Sequence, residues 1–160
     1  MSSDPSSIDP FSSGESVSEE EIRRLVSAYQ QYQNQADAIV RQISLTQLTA
    51  EGLERASRAV EAMDTASEGQ EMLVSIGSGS FVYARLASKD KVVLNVGAGV
   101  SIEKTTAEAK ETLKVRQTEV SEGSKKLSDM LSRIDQEMQK IQAILARYEQ
   151  QAQGSGQKVV

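Results

Sequence analysis

The chain has 160 residues, a mass of 17.4 kDa, a formal charge of -5 and a pI near 4.9, which suits one folded unit with tails. Cysteine, histidine and tryptophan are absent, which removes thiol nucleophiles, imidazole bases, disulfides and the commonest zinc ligand sets. An acidic balance argues against nucleic acid as a partner, since phosphate affinity rests on clustered Lys and Arg.

Residues 1–17 hold both prolines and many serines, with Ile8, Phe11 and Val17 as scattered apolar residues. Such a segment buries too little surface to offset its ordering entropy and is expected to be a disordered tail. It lacks a basic n-region followed by an apolar h-region, so it does not read as a secretory signal. No apolar run approaches the roughly 20 residues a membrane span needs, and no membrane partner is expected. With no cysteine to require an oxidising compartment, the expectation is a soluble, cytoplasmic protein.

Ser18-Glu-Glu-Glu21 resembles a capping box and opens a helix expected over 18–66. From there the spacing alternates three and four: Ile22, Leu25, Tyr29, Tyr32, Ala36, Ile39, Ile43, Thr46, Ala50, Leu53, Ser57 and Val60. That is a heptad seam, and at 1.5 Å per residue the helix would run about 65 to 70 Å, too long for a small globular core. It is expected to form one arm of a coiled coil.

Residues 71–104 carry an internal repeat. Val74-Ser-Ile-Gly-Ser-Gly-Ser-Phe-Val82 and Leu94-Asn-Val-Gly-Ala-Gly-Val-Ser-Ile102 match at an offset of about 20 residues. In each, alternating β-branched and aromatic residues flank a Gly-x-Gly, and Gly77, Gly79, Gly97 and Gly99 permit the positive φ of a tight reversal. Neither glycine pair continues into a phosphate-binding loop motif. Two β-hairpins follow, expected to form one four-stranded element with apolar residues on both faces. Val74, Ile76, Phe81, Val82, Val92, Leu94, Val96, Val100 and Ile102 are the candidate oligomerisation residues, because exposed strand edges recruit other strands.

Thr105 or Thr106, with Glu108, caps a second helix over 105–152, ended by Gly154-Ser-Gly156 and followed by a tail over 153–160. Its expected seam is Ala109, Leu113, Arg116, Val120, Leu127, Met130, Ile134, Ile141, Ile144 and Tyr148, widened by Leu131, Met138 and Leu145. The fold class is therefore α+β: a long antiparallel coiled-coil hairpin with two β-hairpins between its helices. That folding back pairs Ile22 with Tyr148, Leu25 with Ile144 and Val60 with Ala109. It also sets Thr46 and Ala50 against Gly123 and Val120, a weakly packed zone expected to flex.

The paired hairpins, with Glu103-Lys104 closing the second, resemble the α-class subunit of the prefoldin family over about residues 18 to 152. The resemblance implies an ATP-independent holdase in archaeal cytosol, without cofactor or metal, and not an enzyme. It implies a hexamer of two α and four prefoldin β subunits, with strands assembling into an intersubunit β-barrel. It further implies that unfolded client proteins are held at the coiled-coil tips and passed to a group II chaperonin. Here the tip residues are Ile22, Leu25, Val26, Tyr29, Ile141, Ile144, Leu145 and Tyr148. The competing reading is a structural coiled-coil assembly subunit without client binding.

Overall fold

The computed structural model describes residues 18–155, so the expectations for the two tails, residues 1–17 and most of 153–160, lie outside the described residues. The elements are α1 (Glu19–Ala62), β1 (Glu71–Gly77), β2 (Ser80–Arg85), β3 (Lys91–Gly97), β4 (Val100–Thr105) and α2 (Thr106–Ser155). Two long helices thus enclose two antiparallel β-hairpins, as expected from the sequence.

Both helix starts are set by reciprocal capping, which satisfies amides that the first turn leaves without partners. The Ser18 amide donates to Glu21 Oε2 at 2.8 Å, and the Glu21 amide donates to Ser18 Oγ at 3.2 Å. At the second start Thr105 takes the same part. Its amide and hydroxyl both donate to Glu108 Oε2 at 3.0 Å, and the Glu108 amide donates to Thr105 Oγ1 at 3.2 Å. These bonds favour the ionised carboxylate, so Glu108 sits below the usual carboxyl value, chiefly through the Thr105 amide.

The far helix ends differ from expectation by a turn. α1 stops at Ala62 because the amides of Met63, Asp64, Thr65 and Ala66 each bond the carbonyl three residues back, at 3.1 to 3.3 Å. This tighter winding carries the chain out of the helix before Ala66. α2 continues to Ser155 through Gly154, since glycine keeps its N–H and lowers helix stability without forbidding a last turn.

The hairpins share one geometry. In each, a two-residue loop, Ser78-Gly79 or Ala98-Gly99, has positive φ at both positions, the type I′ turn whose twist matches its strands. The register shifts at equivalent places, between Ser75 and Gly77 and between Asn95 and Gly97. Gly77 and Gly97, at φ 100 and 108, adopt a conformation at those bulges that a side chain would oppose.

The expected four-stranded element does not form. Among the described residues β1 pairs only with β2 and β3 only with β4, giving two separate two-stranded sheets. Each base is tied off locally instead. Leu86 accepts from the Gly69 amide at 2.7 Å and donates to Gln70 at 3.0 Å, while the Thr106 amide bonds the Asp90 carbonyl at 3.0 Å.

The described residues divide into two compact units, residues 39–130 and residues 18–38 with 131–155. In the first, Val60, Ala109 and Leu113 form a buried cluster against which Leu53, Ala56, Val92 and Leu94 pack. The predicted approach of Val60 to Ala109 is thereby met, and Asp64 pairs with Lys110 beside it. In the second, the Gln142 amide nitrogen donates to the Tyr29 hydroxyl at 2.7 Å, linking α1 to α2.

Of the expected seam of α2, Met130 departs, while the widening residue Leu131 takes its place. Met130 is half exposed, and Leu131 turns inward with Ile134, Met138, Ile141, Leu145 and Tyr148 at spacings of three and four. Residue 127 to residue 131 is one step of four, which brings the second of the two adjacent apolar residues onto the buried stripe.

Candidate functional site

Two regions carry the candidate residues. The first is the pair of hairpins. In β1–β2, Met72 and Val74 stand across from Ala84 and Val82 on one face, while Leu73 and Ser75 stand across from Tyr83 and Phe81 on the other. All of these apolar side chains except Ala84 are exposed, Tyr83 most of all at 85 %. An ion pair of 3.1 Å between Arg85 and Glu71 closes the open end. With two strands per sheet, every strand keeps one edge unpaired among the described residues, a template for further strands.

In β3–β4 the corresponding faces are not equal. Val92 and Leu94 pack onto the helix cluster, whereas Val93 is 67 % exposed on the opposite face. Polar bonds fasten the same hairpin to α2. Arg116 Nη2 donates to the Asn95 carbonyl at 2.7 Å, and Lys104 Nζ donates to Thr112 Oγ1 at 3.1 Å. Lys91 pairs with Glu103 at 2.7 Å, a bond that raises the lysine above its ordinary value.

Of the nine candidate oligomerisation residues, Val74, Ile76, Phe81, Val82, Val96, Val100 and Ile102 are exposed. Val92 and Leu94 are drawn inside the chain. The reason is the pleat: alternate residues of β3 face the helix junction, and these two fall on that side. The sequence list omitted Leu73, Tyr83 and Val93, which lie on the second faces. Their alternation with Val74, Val82 and Leu94 is the signal that identifies them.

The second region is the open end of the helices. There Val26 is exposed at 43 %, and Ile22, Leu25, Tyr29, Ile144, Leu145 and Tyr148 are half-buried. Ile141 is buried at 7 % and is core in this chain. Leu145, expected beside the seam, lies in the same inward stripe. Among the described residues no three carboxylates converge in a way that could hold a metal ion, and no helix is long and apolar enough to cross a membrane.

Helices of this length around two bulged hairpins with matching turns define an unusual element order, and the family comparison agrees with it. The model of the prefoldin subunit family matches residues 32–151. The chain belongs to the prefoldin family. Among curated relatives, prefoldin subunit alpha of Methanothrix thermoacetophila is 56% identical over 110 residues, 69% of this chain and 72% of that one. Prefoldin subunit alpha of Methanosarcina barkeri is 36% identical over 140 residues, covering 86% of this chain and 97% of the relative. The fold is also similar to a chain of a filamentous prefoldin from Methanocaldococcus jannaschii, with TM-score 0.62 and 22% identity over 73% of this chain and 97% of that one. Prefoldins are chaperone subunits, and the resemblance of this chain is to archaeal α subunits.

Proposed function

We propose that this chain is the α-class subunit of an ATP-independent holdase. The observation that carries the proposal is the first hairpin, which exposes apolar side chains on both faces and, among the described residues, leaves one edge of each strand unpaired. An arrangement of that kind is completed by strands from other subunits. In the assembly proposed, two α and four β subunits join their hairpins into a β-barrel, with Val74, Ile76, Phe81, Val82, Val96, Val100 and Ile102 at its contacts.

Unfolded clients are then held at the open helix ends in the cytoplasm and passed to a group II chaperonin. Val26, the exposed member of the set, makes first contact. Ile22, Leu25, Tyr29, Ile144, Leu145, Tyr148 and the buried Ile141 contribute as the helix ends part. A client without fixed shape suits a grip made of several weak apolar contacts, each fully buried side chain adding about 1.5 to 3 kcal/mol.

The test has two parts. Mass measurement with a β-class partner is expected to give a hexamer, and the mixture is expected to suppress aggregation of a denatured client without ATP. A V26S/L145S variant should assemble normally and protect less. Failure to assemble would overturn the proposal at its root. Assembly without any client protection would favour the second reading, a structural subunit, for which the burial of Ile141 and half-burial of its neighbours speak.

A further inference from the structure

Within residues 39–130 the two helices are closed most firmly beside the hairpins. Val60, Ala109 and Leu113 are buried there, but α1 buries no apolar residue between Ile39 and Val60, and α2 buries none between Leu113 and Ile141. Fourteen residues back from Val60 and fourteen on from Ala109, Thr46 comes opposite Gly123. The seam is thin at that level. Gly123 has no atom within 4 Å of the place its Cβ would take, so no side chain of α1 closes on it, and Ala50, the next seam position, is exposed. Ile43 and Leu53 on α1, with Val120 and Leu127 on α2, flank the gap and are half-buried.

The backbone of α1 is loosened over the same stretch, by bonds that owe nothing to α2. The hydroxyls of Ser44, Thr46 and Thr49 donate to the carbonyls of Val40, Gln42 and Leu45 at 3.1, 2.9 and 3.0 Å. Each of those carbonyls also serves the helical N–H four residues on, and a shared acceptor weakens the ladder and favours a bend. On α2, Thr118 bonds the Lys114 carbonyl in the same way at 3.1 Å. Gly52 and Gly123 place the least favourable residue of a helix interior after proline in each helix.

We infer that residues 43–53 of α1 and 116–127 of α2 form a joint, where the helices part and re-close while the cluster of Val60, Ala109 and Leu113 stays shut. Local opening is easiest where it breaks few apolar contacts, and here thin packing coincides with a loosened ladder. Bending at this level leaves undisturbed the junction that holds β3–β4. The joint follows from packing within residues 39–130 and does not rest on client capture.

Amide exchange read by mass spectrometry, on the chain assembled with its β-class partner, tests the joint. Amides of 43–53 and 116–127 are expected to exchange about tenfold faster than those of 56–60 and 109–113. Thr46→Leu with Gly123→Ala should fill the gap and slow both segments about tenfold, with no change in β3 or β4. Ser44→Ala with Thr49→Ala, both at exposed positions outside the seam, should slow 43–53 about threefold. Ser132→Ala, a helix-favouring change beyond the joint, should leave both segments as they are.

Uniform protection along both helices would overturn the inference. So would exchange that Thr46→Leu with Gly123→Ala leaves unchanged, since the gap would then not be its source. Equal slowing by Ser132→Ala would assign the exchange to global unfolding and would also overturn it. If the seam-filling variant loses helicity, the Ser44 and Thr49 pair decides, and no slowing of 43–53 sinks the joint.

Discussion

The two hairpins have the same turns, the same bulges and nearly the same apolar pattern, yet only one is fastened to the helices. Val92 and Leu94 pack on Val60, Ala109 and Leu113, while the equivalent Met72 and Val74 remain exposed. Arg116 and Thr112 on α2 also bond the second hairpin, whereas among the described residues the first is tied only at its base, by Gly69, Gln70 and Leu86. A repeated sequence therefore fixes a repeated backbone, but the neighbours reached by each copy decide its burial. The difference divides the pair: one hairpin packs on the helices, and the other keeps apolar side chains exposed on both faces.

The comparison breaks most severely at Leu113, which is 2 % exposed. Leu113→Ala should cost about 2 to 5 kcal/mol in denaturant unfolding. It should also make the β3 amides exchange as quickly as those of β1, erasing the contrast between hairpins. Unchanged protection of β3 would mean that the polar bonds alone hold it.

A paired truncation sharpens the contrast. Leu94→Ala should lower stability by about 1 to 3 kcal/mol, since it empties part of the packed face. Val74→Ala, at the same place in the repeat, should change it by about 0.5 kcal/mol or less in the isolated chain. Equal losses would refute this difference. With β partners present, the Val74 variant is expected to show its cost in hexamer dissociation instead.

Smaller effects are expected at the turns. Ser78 and Ala98 both hold φ near 49, a left-handed conformation costly for residues with a Cβ. Ser78→Gly and Ala98→Gly should each stabilise their hairpin by about 0.5 to 1 kcal/mol, after allowing for the freer unfolded chain. Thermal unfolding checks the sum, and amide exchange in β1 or β3 checks that the gain is local.

The smallest contrast is electrostatic. Glu103 raises Lys91 above its ordinary value of 10.5, so this pair contributes below pH 10.5 and its contribution is lost as pH rises through the raised value. The first hairpin pairs Arg85 with Glu71 and holds no lysine in either strand. Alkaline titration followed by amide shifts should loosen β3–β4 before β1–β2. Lys91→Arg should remove that step, and persistence of the step in the variant would assign it to another group.

Much of this architecture is readable in the sequence because it depends on contacts a few residues apart. Ser18 with Glu21, Thr105 with Glu108, and the Gly-x-Gly turns are all fixed by local spacing. Separation into two sheets was not readable, since it depends on which strand each edge finds after the linker around Asp90. The exposure of Met130 was equally hidden, because Met130 and the adjacent Leu131 both fit a helical stripe until a partner helix chooses between them. At the open end, spacing identified the apolar residues but not their cover: Ile141 lies inside, and Val26 alone of the eight is exposed.

The Tyr29–Gln142 hydrogen bond joins residues 113 positions apart, so its second partner is made long after its first. At about 5 to 20 residues per second, α1 waits roughly 6 to 23 s on the ribosome before the matching part of α2 is synthesised. During that interval Ile22, Leu25, Tyr29 and Ile39 have no seam to enter. The nascent subunit thus presents the same kind of unshielded apolar surface that its finished assembly is proposed to guard in others, and its own synthesis is a period of aggregation risk.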